Sequence, residues 1–220
     1  MMIKMTKISS AEIIKNLDIM YPDARCELNY TTDYELLIAV TLSAHSTDKT
    51  VNKVTDKLFA KYNIFTLAEA DLKDLEAIIR PVGTYIRKAK FVKVIAKSLV
   101  RDYNGIVPSS RTYLENLPGV GHKTCNVVLS EIYNEPSIAV DTHVFRVSKR
   151  LGLTKEEDNL QITEKTLMAF FPKEKWNRLH KQLVLFGRYT CKAKNPVCSD
   201  CKFQNKCEWT KINHQKIATS

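Results

Sequence analysis

Apolar residues in this chain recur three and four places apart almost from end to end, a period that fits one face of a helix and not the alternating faces of a strand. Ser9 and Glu12 have capping-box spacing ahead of Ile13, Leu17 and Met20. Asp33 can cap the segment that carries Leu36, Leu37, Val40 and Leu42, and Thr47 can cap one with Val51, Val54 and Leu58 on a single face. Ile78 and Ile79 end a short helix before Pro81 and Gly83. Phe91, Ile95 and Leu99 line a longer one that stops near Asn104-Gly105, and Trp176, Leu179 and Leu183 line another before Gly187. Alternating stretches of strand length are nearly absent, so the fold is predicted to be all-α. Only Asn134 to Val140, NEPSIAV, reads as extended and apolar, running into Asp141. No internal repeat, low-complexity tract or Pro/Gly/Ser linker marks a domain boundary.

The charge balance points to the partner. Thirty-four Lys and Arg against 24 Asp and Glu leave a net charge of +10, which favours a polyanion, most often nucleic acid, through phosphate neutralisation and counterion release. The first ten residues, MMIKMTKISS, hold no apolar run of signal-peptide length, and nowhere do about 18 apolar residues follow one another. No membrane association and an intracellular, cytoplasmic location are therefore expected. In that reducing compartment the six cysteines read poorly as disulfides and better as metal ligands or core residues.

Three constellations could carry chemistry. The first is LPGVGHK, Leu117 to Lys123, between two helical patterns. Pro118 ends the first, Gly119 and Gly121 let the backbone turn without an obstructing side chain, and the next helix starts at about His122. Its free first amides suit a phosphate oxygen, so Gly119, Val120 and Gly121 could grip a DNA backbone without reading sequence. The same glycines would also serve an ordinary helix connection. The second is Lys123 with Asp141. The positive end of a helix, with burial added, favours the neutral and nucleophilic form of a lysine amine. Asp141, ahead of Thr142-His143-Val144-Phe145, has the look of a helix N-cap, a role compatible with catalysis. A solvated surface position is the ordinary fate of a lysine, and spacing alone does not bring these two residues together. The third is Cys191, Cys198, Cys201 and Cys207, spaced C-x6-C-x2-C-x5-C. Four thiols in so short a span suit zinc or an iron–sulfur cluster. With only one close pair, the spacing leans towards iron–sulfur. Cys26 and Cys125 read as core thiols.

Taken together these features resemble the endonuclease III family of the helix-hairpin-helix DNA glycosylase superfamily, from about Tyr34 to Cys207. The carriers are LLIAVTLSAHSTD (Leu36 to Asp48), LPGVGHKTCNVVL (Leu117 to Leu129), IAVDTHVFRV (Ile138 to Val147), GRYTC (Gly187 to Cys191) and the cysteine spacing. The resemblance implies a six-helix barrel domain with the hairpin over residues 25–134. A second helical domain, 1–24 with 135–220, would carry a 4Fe-4S cluster on the four cysteines. DNA would lie across a groove between the domains, with Lys123 the nucleophile and Asp141 its activating carboxylate at the mouth. The cluster would shape a basic loop containing Lys192 and Lys194. The implied activity is bifunctional: removal of oxidised pyrimidines from duplex DNA, then cleavage of the abasic site through a lysine Schiff base. The implied partner is duplex DNA with damaged bases or abasic sites, met by a monomer.

Adenine-removing relatives share the cluster but lack a lysine at position 123 and carry an extra C-terminal domain, whereas this sequence has the lysine and stops soon after Cys207. Alkylation-repair relatives lack the lysine too. A non-catalytic DNA-binding module of the same fold is the alternative of a different class, and the joint presence of Lys123 and Asp141 argues against it. Two positions depart from the family pattern. His45 stands where a glutamine usually fills the gap left by a flipped base, and Thr84 stands where relatives often have a bulky apolar wedge. Either His45 plugs the gap, or neighbouring Tyr85 or Ile86 supplies the wedge.

Overall fold

The computed structural model describes residues 8–217, with side chains described through residue 212; the stretch 1–7, read above for its lack of an apolar run, lies outside the described residues. Every regular element among them is helical. The α-helices in chain order are α1 (Ser10–Met20), α2 (Asp33–Ser43), α3 (Asp48–Lys61), α4 (Ile64–Glu69), α5 (Leu72–Ile79), α6 (Tyr85–Tyr103), α7 (Arg111–Glu115), α8 (His122–Tyr133), α9 (Thr142–Arg150), α10 (Leu160–Phe170), α11 (Trp176–Leu185) and α12 (Glu208–Ile217), with a 3-10 turn at Lys173–Lys175 and a π-helical turn at Phe186–Thr190. No helix among the described residues is long and apolar enough to cross a membrane. The chain divides into two compact units, one running Glu27–Glu135 and the other built from the residues on either side of it.

The Glu27–Glu135 unit contains seven helical segments, α2 to α8, one more than a six-helix barrel because the five-residue α7 precedes the hairpin. Helix α2 is its centre. Every residue from Glu35 to Leu42 is buried, and the helix packs on α3, α6 and α8. A helix apolar on all sides must be surrounded, and each fully buried leucine there is worth about 1.5–3 kcal/mol. Its start is set by Thr32 as N-cap, not by Asp33, which is the first helical residue. The Glu35 carboxylate fixes the turn by accepting from Thr31 N–H at 2.6 Å, Thr31 Oγ1 at 2.7 Å and Thr32 N–H at 3.2 Å.

The second unit packs α1 on α11, and α9 on α10 and α11. Ile13, Leu17, Ile138, Val144, Val147 and Phe186 sit in its core. Asp18 of α1 accepts from Arg178 Nε and Gln182 Nε2 of α11, both at 2.8 Å, which sets the axial register of the two helices. The predicted stop at Gly187 does not occur. Helix α11 runs straight into a π-helical turn, Phe186–Thr190, that includes the glycine. Gly187 is there for close approach: a Cβ would lie 2.8 Å from His143 Cβ, so α9 can press against this turn only where a side chain is missing.

Candidate active site

The Leu117–Gly121 hairpin joins α7 to α8, and its two glycines do different things. Gly119 has φ +81°, and a Cβ there would lie 2.5 Å from Phe91 Cδ2 and 3.1 Å from Thr41 Cγ2. Conformation and space both demand glycine. Gly121 has φ −88° and ψ 178°, ordinary extended backbone, and a Cβ there would meet nothing within 4 Å. The turn therefore needs Gly119 alone. Gly121 is the N-cap of α8 and supplies no side-chain cap, so the positive end of the helix is left uncovered. Val120, between the two glycines, turns its side chain into the unit. Its side chain is buried and its N–H donates to Leu117 O at 3.1 Å, so it anchors the hairpin from inside.

Lys123 is the second residue of α8 and is exposed. The burial considered from the sequence is thus absent, and the amine stands in solvent beside the positive end of the helix. The first turn of α8 is held by a polar network. Arg111 Nη1 donates to Asn126 Oδ1 at 2.8 Å and Nη2 to Glu135 Oε1 at 2.7 Å. Asn126 Nδ2 is 3.2 Å from His122 Nε2, and His122 Nδ1 is 3.3 Å from Glu115 Oε1. Sequence reasoning missed this bracing, because Arg111 reaches partners 15 and 24 residues away and no local pattern marks it.

Asp141, in the other unit, is half-buried and caps α9: its Oδ1 accepts from His143 N–H and Val144 N–H, each at 2.8 Å. The cap occupies one carboxylate oxygen and leaves Oδ2 for other work. The expected N-cap geometry is thus present.

His45 and Thr84 are 39 positions apart in sequence and share one corner of the Glu27–Glu135 unit. Both are exposed and both have φ 56°, the left-handed region that a non-glycine residue rarely adopts. Gly83 lies between them in space: a Cβ on it would be 3.3 Å from His45 O, and its N–H donates to Ser46 Oγ at 3.1 Å. Beside Thr84 an open recess of about 470 Å³ is lined by Tyr85, Ile86, Arg87 and Lys90. Ile86 is 51% exposed, enough for an apolar wedge.

The four C-terminal cysteines line one small cavity, with Leu151, Phe186, Pro196, Val197 and Trp209 among its apolar walls. As placed, no three His, Cys, Asp or Glu side chains among the described residues converge tightly enough to ligate one ion. The donor chemistry nevertheless fits a four-thiolate group. Burial raises the Cys191, Cys198 and Cys201 thiols, Cys201 to about 12, and the neighbouring cysteines push each of them further. A cation shared by four thiolates removes that cost. Arg150 supplies compensating charge, with Nη1 3.5 Å from Cys191 Sγ and its guanidinium 4.6 Å from the Trp209 ring centre. Its other contacts hold the basic loop, since it donates to Lys192 O at 2.6 Å and Ala193 O at 3.2 Å. Lys192 and Lys194 are both exposed. Cys125 is a core thiol as read, and Cys26 is only half-buried.

Residues 38–173 match the family of HhH-GPD superfamily base excision DNA repair proteins. Endonuclease III of Bacillus subtilis is 47% identical over 86% of this chain and 86% of its own length. Endonuclease III of Escherichia coli is 40% identical over 93% of this chain and 97% of its own. Among solved structures, a trapped endonuclease III–DNA covalent intermediate superposes with TM-score 0.88 at 45% identity, covering 94% of this chain and 99% of that one. A thermostable thymine-DNA glycosylase shares the fold, with TM-score 0.77 at 24% identity over 92% of this chain and 96% of that one.

Proposed function

We propose, for a chain that belongs to the endonuclease III family of HhH-GPD base excision DNA repair proteins, that Lys123 attacks the sugar of a damaged nucleotide with Asp141 as its carboxylate partner. The protein is a DNA glycosylase and abasic-site lyase. Its substrate is duplex DNA carrying oxidised pyrimidines or abasic sites, bound by a monomer inside the cell. The damaged nucleotide is first turned out of the stack, at a cost that is smaller at a lesion. The neutral Lys123 amine then forms a bond to sugar C1′ as the C1′–base bond breaks, and the base leaves with the bonding pair and a proton. Asp141 would stabilise the developing positive charge or take the amine proton. Ring opening gives a Schiff base, which acidifies the C2′ proton. Loss of that proton expels the 3′ phosphate, and water then releases the lysine.

The observation that carries this reading is an exposed lysine at the second position of a helix entered through a bare glycine N-cap. Such an end can hold a phosphate with main-chain amides while the amine reaches the adjacent sugar. The covalent intermediate recorded for endonuclease III and DNA supports the same chemistry. Cys191, Cys198, Cys201 and Cys207 would hold a 4Fe-4S cluster, which when bound supplies a structural cross-link for this segment. Arg150 would then fix Lys192 and Lys194 beside it as phosphate contacts. His45 and Thr84 would face the gap in the stack. The test is borohydride trapping on an abasic duplex. Lys123→Gln should still bind the duplex and give no covalent adduct, whereas undiminished trapping would move the nucleophile elsewhere.

A further inference from the structure

The buried residues of the Glu27–Glu135 unit include one lysine, Lys88 on α6, which is 3% exposed. Lysine is almost never fully buried without an acidic partner, yet among the described residues no carboxylate pairs with it. Its Nζ donates to Leu42 O at 2.9 Å, to Ala44 O, and more weakly to Ser46 Oγ at 3.4 Å. Leu42 and Ala44 lie at the C-terminal end of α2, the negative end of that helix, which explains how a cation is tolerated there. Burial, and then the charge of Arg87, holds the amine below the usual lysine value.

Those acceptors flank His45. The main-chain N–H of Lys88 donates to Thr84 O at 3.1 Å, and Ser46 Oγ also accepts from Gly83 N–H at 3.1 Å. One residue therefore joins the two loops whose tips, His45 and Thr84, are both held at φ 56°. A side-chain-bearing residue keeps that conformation only when its surroundings impose it. With no carboxylate beside it, the buried amine is held by these three acceptors, so its burial is bound up with the shape of the loop on either side of His45.

We propose that Lys88 is a positioning residue for base extrusion, tying the C-terminal end of α2 to the start of α6 so that His45 and Thr84 are pre-set to enter the base stack. The proposal rests on the reading of these two residues as facing the gap. The amine fills the hydrogen-bonding capacity of the loop carbonyls, and that fixes the tips before DNA arrives, so less ordering is left to be done on the complex.

The test compares two substrates of the intact protein. An abasic site needs little unstacking, whereas an oxidised pyrimidine in duplex needs much. Lys88→Met keeps the length and apolarity of the stem and removes its three side-chain hydrogen bonds. Borohydride trapping on the abasic duplex should stay within about threefold of wild type, while kcat for removal of the stacked damaged base should fall at least about tenfold with little change in KM. Lys88→Arg, which keeps the charge, should recover part of that loss. Equal losses on the two substrates, or no loss on either, would overturn the proposal. Should Lys88→Met fail to fold by circular dichroism, Ser46→Ala decides instead. It removes the link to Gly83, and the same split at smaller size is expected, with a parallel loss or none overturning it. Wild-type protein inactive on both substrates would instead refute the function itself.

Discussion

Replacing each hairpin glycine by alanine separates what folds the hairpin from what binds through it. At Gly119 the φ of +81° costs an L-residue about 1–2 kcal/mol. The new Cβ, 2.5 Å from Phe91 Cδ2 and 3.1 Å from Thr41 Cγ2, must displace the Phe91 ring, an overpacking cost of about 1–3 kcal/mol. Loss of chain freedom in the unfolded state returns about 0.4–1 kcal/mol. Gly119→Ala should therefore destabilise by about 3 kcal/mol, a fall in melting temperature of roughly 6–12 °C for a chain of this length. At Gly121 φ is −88° and the Cβ enters open space. The gain from the unfolded state and the poorer N-cap nearly cancel, leaving stability within about 0.5 kcal/mol of wild type. The methyl group does, however, stand where a phosphate would approach the main chain. Gly121→Ala should weaken binding to an abasic-analogue duplex about tenfold, roughly 1.4 kcal/mol. Urea denaturation and fluorescence anisotropy on the two variants measure both quantities. Equal destabilisation by the two substitutions, or unaltered DNA binding by a fully folded Gly121→Ala, would refute the division of roles.

Asp141→Asn should keep the helix cap, since asparagine caps as well as aspartate, yet slow base removal in single-turnover assays; Asp141→Ala should add a stability loss of about 1 kcal/mol. Normal turnover in the asparagine variant would reduce Asp141 to a cap. The Cys125 thiol is pushed up by burial to about 11 from an ordinary 9.0. Its alkylation by iodoacetamide at pH 8, followed by mass spectrometry, should therefore be at least about tenfold slower in the folded protein than after unfolding in urea. Alkylation at the rate of a small free thiol would contradict the burial of this residue. Anaerobically purified protein should contain about four iron atoms per chain, and Cys201→Ser should lower both iron content and melting temperature because metal binding and folding are coupled. Stoichiometric zinc with no visible absorbance would reject the iron–sulfur assignment.

Local pattern determined the helices and most of their ends. The 3.6-residue period of Leu17, Val54, Leu99 and Leu183 needs no partner to be legible, and neither do the caps at Ser9, Thr47 and Asp141, because each acts within one turn of chain. The hairpin and the position of the lysine at the start of the helix after it were legible for the same reason, since both are written in adjacent residues. Tertiary structure decided whatever depends on distant neighbours. It distinguished Gly119, crowded by Phe91 and Thr41, from Gly121, crowded by nothing. It buried Val120, left Lys123 exposed, and carried α11 through Gly187 because α9 presses there. It brought His45 and Thr84 to one corner and placed a buried lysine behind them, a bond between positions 42 to 46 and 88 that no periodicity encodes. A sequence window sees only neighbours along the chain, whereas space, charge and hydrogen-bonding partners are assigned by residues that folding brings from elsewhere.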